Sequence, residues 1–151
     1  MMDTTALDQQ THPLRLRPPQ AQLAGCCWLP RIVDKTRAFR GKRLPLLYRL
    51  ALGSSVGLDG AFLRHFRLTL DDLQKAVAEH DDDAGIERWF RNLPATSSTR
   101  IGVWNERAPL LGSKGHPGYL TRHLIKFVFY PKSVLRPVNS LFEAIAQDEA
   151  D

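Results

Sequence analysis

Apolar positions recur along the chain every three or four residues, in short bursts broken by Gly, Pro and Asp, and no segment of useful length alternates with period two. Leu29, Ile32, Val33, Thr36 and Phe39 follow helical spacing from Pro30, a residue tolerated at a first helical position because its missing amide needs no partner. The spacing predicts a helix over 29–41, stopped by Gly41. The leucine-rich stretch from Lys42 to Gly57, with Leu44, Leu46, Leu47, Tyr48, Leu50 and Leu52 between Pro45 and Gly53, reads as buried and as a short helix. Leu58, Phe62, Leu63 and Phe66 share one face of a helix over 58–67, where Asp59 can cap and offset the positive start. Thr69 and Asp72 approximate a capping box ahead of Leu70, Leu73 and Val77, with His80 closing that helix. Asp82 or Asp83 can cap the next, which carries Ile86, Trp89 and Phe90 and ends at Leu93-Pro94. Ser97 or Ser98 opens another that buries Ile101 and Trp104 and runs out before Pro109. Leu120, Leu124, Phe127 and Val128 predict a helix over 117–129, and Val138, Leu141, Phe142 and Ile145 a last one after Pro137.

This pattern predicts an all-α fold, an irregular orthogonal array of six to seven short helices in a single domain. Residues 1–20, with three Gln, three Pro and no apolar period, read as a disordered arm; 21–147 form the helical domain and 148–151 an acidic frayed tail. At 151 residues, 43% hydrophobic and 25% charged, the chain is long enough to bury a core, which excludes disorder throughout. The longest uncharged apolar stretches fall far short of the roughly 20 residues a bilayer span requires, so no membrane is expected. Met-Met-Asp does not begin a signal peptide, and adjacent Cys26 and Cys27 make a disulfide-stapled scaffold implausible; both observations point to the cytoplasm.

The formal net charge of +5 is unevenly spread. Residues 1–50 hold nine Lys/Arg against three Asp/Glu, whereas residues 51–100 hold six against eight. Most of the excess is the run Arg31, Lys35, Arg37, Arg40, Lys42 and Arg43, opposed only by Asp34. Nucleic-acid binding would call for interleaved aromatics, and Phe39 is the only one in the run, so a solvated basic helix face is the simpler account.

The segment Trp28-Leu29-Pro30-Arg31-Ile32-Val33-Asp34-Lys35-Thr36-Arg37 resembles the signature of a bacterial family described as domain of unknown function fifty sixty-nine. Members of that family open with an apolar-Trp-Leu-Pro-Arg block, continue to Asp-Lys-x-Arg, and later show Pro-Leu-Asp leading into an aromatic-rich helix. Here Trp28, Leu29, Pro30, Arg31, Asp34, Lys35 and Arg37 match the first block, while Gly57-Leu58-Asp59 replaces the proline of the second. The resemblance covers about 20–80 and is diffuse beyond, although Trp104-Asn105 and Phe142-Glu143 are similar in character. It implies a small helical bacterial protein and supplies no reaction, cofactor or substrate.

Asp34 lies three residues after Arg31 and three before Arg37, so its carboxylate can meet one or both guanidiniums on one helix flank. An Arg held by one carboxylate keeps donors for a second partner, which makes Trp28, Arg31, Asp34, Lys35 and Arg37 a candidate anion site; a structural ion pair is the competing account. Cys26 and Cys27 sit at a helix start that can activate a thiol, yet they have no paired His nearby in sequence and read as packing residues. His12, His65, His80, His116 and His123 have no metal-ligand spacing, so neither metal nor cofactor is expected. The connector Gly112 to Gly118 precedes a helix without a Walker arrangement, and the three tryptophans read as core. The sequence therefore favours a non-catalytic module holding an anionic small molecule or protein partner at the first helix. The alternatives are an enzyme with Asp34 as base, which flanking arginines oppose, and nucleic-acid binding through the basic third, including Arg15 and Arg17.

Overall fold

The computed structural model describes residues 15–53, 57–111 and 145. Two antiparallel strands, β1 (Gln22–Leu23) and β2 (Cys26–Cys27), pair Gln22 with Cys27 and Leu23 with Cys26. Ala24 and Gly25 connect them, both at positive φ (55° and 72°), which is the backbone of a tight two-residue hairpin turn. Strands this short are invisible to a search for alternation, and they are the one departure from the expected all-helical architecture among the described residues.

The helices then follow as α1 (Leu29–Arg40), α2 (Leu46–Gly53), α3 (Leu58–His65), α4 (Leu70–Glu79), α5 (Asp83–Arg91) and α6 (Ser98–Arg107), with a 3-10 turn over Ala108–Leu110. The capping residues expected from the sequence are in place. Thr69 and Asp72 form a reciprocal capping box, Asp82 accepts from the Gly85 amide, and Ser97 accepts from that of Arg100. The predicted helix 117–129 lies outside the described residues; of the last one, Ile145 alone is described, and it is buried in the core.

Helix α1 is the hub, packed by β1, α2 and α4. It buries Leu29, Arg31, Ile32, Val33, Lys35, Thr36 and Ala38, so nearly its whole circumference is covered until Phe39 and Arg40 emerge. A basic helix face turned to solvent is therefore corrected: Arg31 and Lys35 point inward, and exposure is left to Arg40, Lys42 and Arg43. The stop at Gly41 also has a different mechanism from the one expected. Gly41 has φ −80°, and the left-handed residue is Lys42 at 57°; Lys42 N donates to Phe39 O and Arg43 N to Ala38 O, closing the end as a Schellman motif. The end of α3 repeats this with Arg67 at φ 54°.

Phe62 from α3, Phe66 at its C-cap, Phe90 from α5 and Trp104 from α6 form one aromatic cluster, with ring centroids 5.0–6.2 Å apart. Trp104 Nε1 donates to Cys27 O at 2.8 Å, while Asn105 accepts from the Cys27 amide and donates to Gly25 O. The Trp104-Asn105 pair thus fastens α6 to the hairpin. Ahead of α3, Gly57 has φ 97°, a conformation closed to proline, so the residue that departs from the family pattern also sets a different backbone there.

Candidate functional site

The local cause of the α1 cluster is the backbone of Trp28. It stands at the helix N-cap in the left-handed region, φ 71°, where a bulky side chain is disfavoured by about 1–2 kcal/mol. Its amide donates to Pro19 O and its carbonyl accepts from Ile32, so the chain turns from β2 directly into α1. The turn buries the indole, whose Nε1 donates to Asp59 Oδ1 at 2.9 Å. The other oxygen of Asp59 accepts from Lys35 Nζ, also at 2.9 Å, and both side chains are only 3% exposed. Lys35 Nζ lies 4.9 Å from the Trp28 ring centroid and 5.7 Å from that of Tyr48, and the Arg31 guanidinium 5.5 Å from Trp28, within cation–π range. Asp59 was expected to cap its own helix; it makes no cap bond and instead joins α3 to α1. It is the member of this cluster that sequence spacing misses.

Asp34 does not pair with Arg31 or Arg37. Both its oxygens are taken by Arg17, through Nε and the backbone amide on Oδ2 (3.0 and 2.8 Å) and Nη2 on Oδ1 (2.9 Å). The three-residue spacing permitted the contact, but Arg17 reaches the carboxylate with a two-pronged geometry that a neighbour on the same helix cannot match. Arg17 continues to Asp83 at the start of α5 (2.6 Å), and Arg37 meets the same carboxylate at 3.1 Å. Hydrogen bonds from Arg17, with its charge and that of Arg37, hold the Asp83 carboxyl below the ordinary carboxylate range. Arg31 Nη1 donates to Arg17 O at 3.2 Å. The five candidate residues are therefore brought together, but as two internal networks that bind residues 17, 59 and 83 to one helix.

The thiols are buried. Burial pushes Cys27 up to about 11 and raises Cys26 further, the opposite of an activated nucleophile. Among the described residues no group of three His, Cys, Asp or Glu is placed to hold a metal, and no helix is long and apolar enough to cross a membrane. His12, His116, His123 and the connector 112–118 lie outside the described residues.

A second constellation forms between α3 and α6. Ala61, Arg64 and His65 occupy one face of α3 at i, i+3 and i+4, and Arg100, Trp104 and Arg107 one face of α6 at i, i+4 and i+7. With Leu111 they line a cleft of about 320 Å³. His65 Nε2 donates to Arg100 O at 2.8 Å, and Arg100 Nη2 donates back to His65 O, so the two helices clasp each other at the cleft. Arg100 Nε is buried with no hydrogen-bond partner among the described residues. The lining holds three guanidiniums and an imidazole, and no carboxylate among the described residues. The sequence reading passed over this site because its cations come from two separate segments; the Arg100–Trp104–Arg107 stripe was the available signal.

The family model described as Domain of unknown function (DUF5069) matches residues 13–150, and the chain belongs to that family. The match extends the resemblance from 20–80 to nearly the whole chain. No curated protein matches.

Proposed function

We propose that the protein is a binding module for an anionic ligand, held in the cleft between α3 and α6 without covalent chemistry. The observation that carries this reading is the lining of that cleft, where three arginines and a histidine converge with no opposing carboxylate among the described residues. Like charges in a concave, partly dry site raise the local potential and favour an anion over water. In this reading Trp28, Arg31, Asp34, Lys35 and Arg37 are the framework, tied to Asp59, Arg17 and Asp83 by hydrogen bonds and ion pairs, while Arg37 Nη2 is buried without a hydrogen-bond partner among the described residues. Catalysis by Asp34 is opposed by Arg17, which engages both carboxylate oxygens.

Thermal unfolding with increasing inorganic phosphate at constant ionic strength tests the reading. A rise in Tm that grows with the logarithm of phosphate concentration above Kd is expected, lost in Arg107→Ala and kept in Arg40→Ala. A hundredfold excess over Kd corresponds to about 2.7 kcal/mol. Phosphate also stabilises proteins by exclusion from their surfaces, so an equal rise in all three proteins contradicts a site.

A further inference from the structure

We infer that the ligand of the α3–α6 cleft is a small phosphate monoester; this rests on the anion-binding reading and adds the ligand's chemistry. Charge comes first. Arg64, Arg100 and Arg107 line one space, and the guanidiniums of Arg100 and Arg107 match a dianionic phosphoryl group, whose oxygens accept two-pronged hydrogen bonds, better than a single carboxylate. The reciprocal clasp with His65 fixes the Arg100 guanidinium by spending Nη2 on a carbonyl, and it leaves Nε buried without a partner. A buried donor without an acceptor is unfavourable, and an oxyanion entering beside it relieves that cost. Arg107 is exposed, at the rim, where a long side chain closes over a bound anion.

Shape comes second. Ala61, Trp104 and Leu111 give the same cleft an apolar wall that inorganic phosphate leaves uncovered. The cleft of 320 Å³ lies at the small end of ligand sites, which suits a small molecule. That fits a phosphoryl group carrying one small ring or short chain. A folded polymer or duplex engages a surface through its phosphates, and the apolar wall within the cleft would contribute nothing to it.

Calorimetric titration of the full chain with phenyl phosphate, inorganic phosphate and benzoate at one ionic strength separates the claims. Phenyl phosphate is expected to bind about tenfold tighter than either of the others, a difference one buried ring readily supplies. Arg107→Ala is expected to weaken phenyl phosphate about tenfold without moving the urea midpoint, since the side chain is exposed. Phosphate binding as tightly as phenyl phosphate overturns the ester and spares the anion site. Benzoate binding as tightly as phenyl phosphate overturns the phosphoryl group. Absence of binding by all three overturns both readings, and a duplex oligonucleotide that binds where phenyl phosphate does not overturns the small-molecule ligand.

Discussion

Lys35 and Asp59 are charged residues inside a hydrophobic core, and their stability depends on each other. Each side chain is 3% exposed, and the carboxylate satisfies both oxygens with Lys35 and Trp28. Lys35→Met leaves Asp59 charged and short of a donor, so unfolding in urea should show a loss of about 3–5 kcal/mol. The double variant Lys35→Met/Asp59→Leu removes both charges and should recover part of that loss. A double variant as unstable as the sum of the two singles would contradict the coupling. The lysine was legible in the sequence as a member of the signature, whereas its partner, 24 residues on, was not. Helical periodicity names neighbours three and four residues apart and is silent on contacts between helices.

At the level of elements, most boundaries were legible because they rest on local chemistry. Thr69 with Asp72, Asp82 and Ser97 each satisfy an amide a few residues away, so no tertiary information is needed. The hairpin was not legible, since two-residue strands carry no period and its turn uses Ala24 where Asn or Gly would have signalled it. Lys42 and Arg67 are further cases of side chains held at positive φ, both exposed and both closing a helix. Replacing either by glycine removes the steric cost of the left-handed conformation and adds some unfolded-chain entropy. The unfolding free energy from urea titration should rise by about 0.5–1 kcal/mol for each, with a matching rise in midpoint. An unchanged or lower midpoint would mean that these helix ends do not carry the assigned strain.

Across the whole molecule, the position of charge in the sequence and its position in space diverge. The first 50 residues hold the basic excess, yet folding turns Arg31 and Lys35 inward and commits Arg17 and Arg37 to Asp34 and Asp83. The cationic cleft is instead assembled from α3 and α6, which come from a stretch where acidic residues outnumber basic ones up to Arg100. The central claim is that the signature around Trp28 builds the framework while the α3–α6 cleft holds the ligand. Trp28 and Trp104 give each place its own indole proton, so an amide and indole NMR titration with phenyl phosphate tests the claim most directly. The account predicts saturable shifts at the Trp104 indole and at the amides of His65, Arg100 and Arg107, with the Trp28 indole and residues 31–37 unmoved. Shifts centred on Trp28 and α1 would contradict it and return the ligand to the signature helix.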